Sequence, residues 1–401
     1  METGTQSTEN RAKQHSDYVI RVFDDPAEIA PDAWDALSTK QDEPSPFMQH
    51  AYLAALHTSG SATPDTGWQP QFVTLWEGDA LVAGCALYLK DHSYGEYVFD
   101  WAWAKAYADH GLNYYPKAVS AVPFTPVPGS RLLAKDKPSR FALLQACLSL
   151  CQTRELSSLH LLFTSPADRT ACDAMGLLQR QTVQFHWQNQ GFTSFDAFLG
   201  SLNQEKRKKI KQERRRVTDA GVSFRTRQGR QIQTEDWDFF YKCYERTYLE
   251  HGNAPYLSRA FFKSMEHDMP NNWLLFIAER EQRPIASSLI AIQGVGTPEA
   301  IAYGRYWGAL ERVDCLHFEA CYYQPLTWCI DHQVSRFEGG AQGEHKMARA
   351  LMPVTTFSAH WLAHPAFSDA VARFLERETA GVDGYIEHLA DRSPYRSHSS
   401  D

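Results

Sequence analysis

Residues 273–292 read WLLFIAEREQRPIASSLIAI, two apolar runs (273–279 and 285–292) separated by Arg280, Glu281, Gln282 and Arg283. Apolar runs of this length around a polar turn predict two buried antiparallel strands joined as a hairpin. Upstream, 237–248 and 257–265 carry helical spacing. Downstream come a third strand at 300–307, a long amphipathic helix at 316–332, strands at 336–340 and 355–361, and a helix at 365–378.

The first half runs through a similar order. Residues 18–23 alternate as a strand, and 26–37 and 46–56 read as helices opened by Pro26 and Pro46. Residues 71–76 and 80–89 form a hairpin across Glu77, Gly78 and Asp79. A strand at 117–124, a helix at 138–151, a strand at 159–163, a helix at 166–175 and a strand at 181–187 follow. The repeated order predicts an α/β (α+β) fold of tandem domains, each a mixed central sheet flanked by helices, and at fold level it resembles acyltransferases of the GNAT class. At 401 residues the chain is too long for one ordinary domain. The reading divides it into a disordered N-terminus at 1–17, a first GNAT-like domain at 18–192, a basic helical connector at 193–225, a second domain at 226–380 and a polar tail at 381–401.

Composition excludes several classes. Apolar residues make up 43% and charged residues 22%, the balance of a folded chain with large cores. The eight cysteines contain no C-x-x-C pair and sit mostly in apolar runs, so they read as reduced core thiols. The polar first sixteen residues show no apolar core of a secretory signal, and no apolar run approaches the roughly twenty residues that span a bilayer. The expectation is a cytoplasmic protein without a transmembrane segment, with peripheral membrane contact left open. Walker, dinucleotide-binding and G-x-S-x-G patterns are missing, so phosphoryl transfer, a bound dinucleotide and a serine acyl-enzyme are not supported. His360 and His364 lack the glutamate of H-E-x-x-H, and no metal is assigned.

The net charge is -8, but its distribution is uneven. Lys206, Arg207, Lys208, Lys209, Lys211, Arg214, Arg215 and Arg216 stand in eleven residues against one acid, Glu213. Phe195, Phe198, Leu199, Leu202, Ile210 and Val217 fall near one stripe of the same segment, which predicts a cationic helix resting on the body by a narrow apolar seam. Like charges this dense repel one another. An anionic partner (RNA phosphates, a nucleotide phosphate or an anionic lipid surface) explains the run better than a solvated connector does.

The densest polar cluster in an apolar region combines Tyr303 to Gly308, His317 to Tyr323 and Arg336 to Lys346. Residues two apart on a strand share a face, so Arg305 either pairs with a buried carboxylate, Glu319 or Glu338, or faces a site. Gly339, Gly340 and Gly343 allow a turn that brings backbone N–H groups near a ligand. Glu338 or His345 is the candidate base, while Arg305, Gln342 and Lys346 are candidates to stabilise an oxyanion or donor phosphates. Tyr306, Glu319 and Tyr322, with Lys117 and Arg131 of the first half, complete the expected substrate-binding set. A plain glycine-rich turn with an exposed His345 is the competing reading.

Beyond these features, 114–117 (YYPK), 122–127 (VPFTPV), 185–187 (FHW), the basic run, 303–308, 317–323 and 337–346 resemble the FemAB-like N-acyltransferases, described as peptidoglycan biosynthesis/recognition, over roughly 18–378. That family is similar to the Fem aminoacyltransferases and to leucyl/phenylalanyl transferase, which pair two GNAT-like domains and move an aminoacyl group from charged tRNA to an amine. The resemblance implies an N-acyltransferase acting by direct attack, with no tightly bound cofactor and the acyl donor, aminoacyl-tRNA or acyl-CoA, as co-substrate. It implies an amine-bearing acceptor and tRNA contact through the basic helix. The chain departs from acetyl-CoA enzymes in lacking the Q/R-x-x-G-x-G/A loop. The alternative is a non-catalytic recognition protein of the same double fold that binds a cell-wall precursor or anionic partner.

Overall fold

In a computed structural model of the chain, residues 18–341 and 343–396 are described. The predicted disordered segment 1–17, the end of the polar tail at 397–401, and Gln342 lie outside the described residues.

Both predicted hairpins form. Phe72–Glu77 pairs antiparallel with Ala80–Cys85, and Trp273–Arg280 with Arg283–Gln293. Each is followed by a strand, a helix and a second strand parallel to the first: Lys117–Ser120, Lys137–Thr153 and Ser158–Leu161 in one half, Ile301–Ala309, 316–331 and Arg336–Ala341 in the other. The chain thus repeats one unit twice, a mixed sheet flanked by helices.

The two repeats share one large sheet. Its eleven strands run in the order Val222–Gln228, Trp273–Arg280, Arg283–Gln293, Ile301–Ala309, Arg336–Ala341, Leu178–Gln188, Met352–Leu362, Ser158–Leu161, Lys117–Ser120, Leu87–Lys90 and Gln69–Pro70. Leu178–Gln188, from the first half, lies between two strands of the second, and Met352–Leu362 returns to pair with the first half's Ser158–Leu161. A smaller four-stranded sheet holds Val19–Phe23, Phe72–Glu77, Ala80–Cys85 and Leu133–Ala134. The expected long strand over 80–89 therefore bends and serves both sheets.

Proline sets several helix starts. The helix expected over 26–37 is a short turn, Pro26–Glu28, then Pro31–Ser38, because Pro31 cannot donate into a preceding turn. Pro46 likewise opens a short turn, Pro46–Met48, and a separate helix, His50–Thr58, follows it. The helix Trp101–Asp109 and the edge strand Val222–Gln228 escaped the sequence reading, as did the two-residue strands Gln69–Pro70 and Leu133–Ala134. The final helix continues from Pro365 to Ala390 and buries Leu389, which corrects the expectation of a polar tail from 381. Among the described residues no helix is long and apolar enough to cross a membrane.

The basic segment forms Phe195–Ser201 and Gln204–Asp219. Asn203 caps the second helix, its side-chain oxygen accepting from Lys206 N at 3.0 Å. Ile210, Glu213 and Val217 make its buried stripe, so the helix packs on the body along the predicted seam.

Candidate functional site

Ile301–Ala309 and Arg336–Ala341 pair only at Ile301 with Arg336, Ala302 with Phe337 and Tyr303 with Glu338. Beyond that rung the strands part and open a fork. On the other side of Ile301–Ala309 the register slips: Leu289 pairs with Tyr306 and Ile290 with Gly304, which leaves Arg305 as the bulged residue. Gly304 is required here, since a Cβ would stand 2.6 Å from Cζ of Phe337. The fork's open end is closed by the helical stretch 316–331, which widens into a π turn at Glu319–Tyr323, and by the short turn Glu344–Arg349.

A cavity of about 450 Å³ fills the fork, lined among others by Arg305, His317, Tyr322, Gly339, His345 and Lys346. The three sequence pieces singled out above meet there. Exposed His345 brings its Nε2 to 3.4 Å from the Tyr322 hydroxyl. Partial loss of hydration on the ring's inner side and the charges of Lys346 and Arg349 hold its imidazole below the usual histidine value, so at neutral pH the ring is a free base. Lys346 donates to the Gly339 carbonyl at 2.7 Å, and burial, with Arg305 nearby, pulls its ammonium down to about 8. His317 is held neutral, pulled down to about 4 mainly by burial.

Arg305 donates through Nη1 to the carbonyls of Gly304 and Glu338, both at 3.0 Å, and through Nη2 to Glu338 Oε2 at 3.3 Å. Arg336 lies 3.0 Å from the other carboxylate oxygen. Of the open readings for Arg305, the internal pair with Glu338 is realised, at the wall of the cavity. Burial raises the Glu338 carboxyl, against the pull of the two arginines.

Several expected placements are corrected. Glu338 alternates with Phe337 and Gly339 along its strand, so it turns to the opposite face from His345 and Lys346. There, 1% exposed, it borders a second cavity of about 540 Å³ with Arg336, His186 and Arg169. A carboxylate clamped by two guanidinium groups is a poor base. Glu319 is taken by the basic helix, its Oε1 3.1 Å from Arg214 Nη2. Lys117 is fully buried in the first half, 2.8 Å from Glu96 and 2.5 Å from Asp100. Arg131, also fully buried, donates to the carbonyls of Leu162 and Val127. Both tie the first half together and line no cleft. Tyr306 borders the cavity, but its ring turns into the aromatic core and its hydroxyl lies 3.4 Å from that of Tyr52. Gln342 is outside the described residues.

Of the eight basic residues, Lys208, Lys209, Lys211, Arg215 and Arg216 are exposed, while Lys206, Arg207 and Arg214 are partly buried. Lys206 and Lys209 line a groove of about 600 Å³ that His345 also borders, so His345 stands between the groove beside the cationic helix and the fork cavity. Sequence reasoning missed Arg349, which donates to the His345 carbonyl at 2.7 Å and to Glu213 at 2.8 and 3.0 Å. The available signal was Glu213, one acid in a basic run, spaced with Ile210 and Val217 on the buried stripe.

Comparison with known proteins agrees with this architecture. The chain is similar in fold to FemX, with a TM-score of 0.54 at 9% identity over 86% of this chain and 98% of that one. L-PGS from Bacillus licheniformis superposes with a TM-score of 0.50 at 9% identity, over 86% and 97% of the two chains. A C-terminal DUF2156 domain from Agrobacterium fabrum gives 0.53 at 10% identity, over 88% and 96%. No curated protein sequence matches the chain. The model of one family, described as peptidoglycan biosynthesis/recognition, matches residues 25–397. With its doubled unit and nearly its whole length matched, the chain belongs to the FemAB-like family.

Proposed function

We propose that the protein is an N-acyltransferase that holds an activated acyl or aminoacyl ester in the fork cavity and passes its acyl group to an amine. The observation that carries this reading is the cavity in the fork, bordered by the two parted strands, a neutral imidazole and two cations. Past the Tyr303–Glu338 rung, peptide N–H groups of the parted strands are released from the ladder between them. Such groups suit the carbonyl oxygen of a donor, and they stabilise the charge it gains in the tetrahedral intermediate.

In this reading the amine nitrogen attacks the donor carbonyl carbon. A C–N bond forms, the ester C–O bond breaks, and His345 takes the amine proton and returns it to the leaving oxygen. Lys346 and Arg305 hold the developing negative charge or the donor phosphates. No covalent enzyme intermediate is needed, and positioning does most of the work.

Aminoacyl-tRNA is the donor that best suits a fork cavity lying beside a basic helix, since many phosphates need many cations. The family description supports a peptidoglycan precursor as the source of the accepting amine. Mass spectrometry of reactions offered charged tRNA and acyl-CoA thioesters in parallel, each with amine acceptors, tests the proposal. Transfer from charged tRNA, with donor affinity falling steeply as salt is added, is expected. Transfer from acyl-CoA alone would displace tRNA as donor, and binding without transfer from either would leave a recognition protein.

A further inference from the structure

We infer that Glu213, on the cationic helix, is a positioning residue that sets the place of His345 in the fork cavity by holding Arg349. The inference rests on the transferase reading above for its catalytic consequence only.

Glu213 is the one acid within the basic run and it is buried. Its two carboxylate oxygens accept from Arg349 Nη2 at 3.0 and 2.8 Å, and one also accepts from the Tyr323 hydroxyl. Arg349 is 2% exposed and turns its other terminal nitrogen to the His345 carbonyl at 2.7 Å. Its guanidinium carbon lies over the Phe318 ring, 3.6 Å from the ring centre, and that contact together with the hydrogen bonds at both arms holds the group in place. The path from helix to imidazole is therefore Glu213, Arg349, the His345 backbone.

The turn that carries His345 needs such a hold. It begins at Gly343 with φ 101° and ends at Ala350 with φ 62°, a left-handed conformation that a Cβ disfavours. Residues in strained backbone keep their conformation only where their surroundings over-determine it. A turn released from Arg349 has other backbone states available, and a shift of about 1 Å in a reacting group can cost about 10²-fold in rate. An acid in the middle of a strip that otherwise attracts phosphates works against polyanion binding, and the tie to Arg349 accounts for its place there.

The test uses full-length protein carrying 13C-labelled histidine, with the His345 ring signal identified by its loss in His345→Gln. Glu213→Gln is expected to displace or split that signal without substrate present, to keep affinity for unfractionated tRNA within about twofold, and to lower kcat with aminoacyl-tRNA by about 10²-fold. A His345 signal superposing on the wild type, or a raised donor KM at unchanged kcat, would overturn the inference. Should Glu213→Gln fail to fold, Arg349→Lys is read in the same way, since a lysine lacks the planar fork whose two arms reach Glu213 and the His345 carbonyl separately. The spectrum needs no turnover, so a wild-type protein inactive with every donor sinks the transferase reading while the positioning claim is still decided.

Discussion

Arg305 and Glu338 close on each other at the last rung of the fork, guanidinium Nη1 on the Glu338 carbonyl at 3.0 Å and Nη2 at 3.3 Å from its carboxylate. The side chains are 5% and 1% exposed. The pair therefore holds together the two strands whose parting makes the cavity. Glu338→Ala leaves the buried Arg305 guanidinium without its carboxylate, and Arg336 with Glu43 alone at 3.7 Å, and should cost about 3–5 kcal/mol of stability. Urea unfolding measures it, and a drop under about 1 kcal/mol, the size of an exposed pair, would show that the pair does not brace the fork.

The candidate base and cation set opposite limbs of a pH profile. His345 titrates below the usual histidine value and must be neutral to accept a proton, so kcat/KM should rise as pH climbs through that lowered value. Lys346 loses its charge at about 8, and the rate should fall above it. His345→Gln should remove the acid limb and lower the rate by about 10²- to 10⁴-fold, with thermal stability retained. A profile unchanged in that variant would exclude His345 as the base.

Salt dependence locates the donor phosphates. Lys208, Lys211 and Arg215 are exposed on the basic helix. Replacing all three with glutamine should flatten the slope of log affinity for tRNA against log salt by about 0.7 to 0.9 for each phosphate no longer neutralised. The melting temperature should stay near the wild-type value, because none of the three is buried. An unaltered slope would move the tRNA elsewhere.

An acid-sensitive pair joins the two halves, His160 on Ser158–Leu161 and His360 on Met352–Leu362. His160 Nδ1 and His360 Nδ1 lie 2.7 Å apart, so one donates, one accepts, and both rings are neutral. Burial takes His160 down to about 3 and His360 well below its ordinary value, whereas both titrate near 6.5 when unfolded. Below 6.5 the unfolded chain binds protons that the folded one refuses. Stability should thus be intact above 6.5 and fall towards pH 3 by roughly 1 kcal/mol per pH unit for each histidine. Urea unfolding of wild type and His360→Gln at pH 7 and pH 5 should show the variant less pH-dependent.

Lys117 separates a structural role from a substrate role. It is fully buried against Glu96 and Asp100, and Ser93 accepts from its ammonium at 2.7 Å. Lys117→Met should destabilise by about 3–5 kcal/mol while the folded fraction keeps the wild-type donor KM. A raised KM at unchanged stability would restore it to the substrate cleft.

Element types and their order were legible because their signals are local. The hairpin over 273–292, the repeated order of elements and the amphipathic basic segment each follow from periodicity within a few turns or strand steps. Misplaced ends came from neighbouring chemistry, as where Pro31 splits a predicted helix. At the site, the glycine-rich turn with His345 and Lys346, and the strand with Arg305, could be singled out as one constellation, and they do share a cavity. Glu319 and Lys117 looked equally functional, since nothing in their surroundings along the chain reveals Arg214 or Asp100 as partners.

What lay in the amino-acid order was the doubled unit, the family it belongs to and the residue types gathered near the fork. Folding in three dimensions decided the exchange of Leu178–Gln188 and Met352–Leu362 between repeats, the face to which Glu338 turns, and the partnership of Arg349 with Glu213, 136 residues apart. The reason is physical: period and propensity act over neighbours, whereas strand order and ion pairing depend on which distant segments are packed together. Along a strand one residue's step also exchanges the two faces of the sheet.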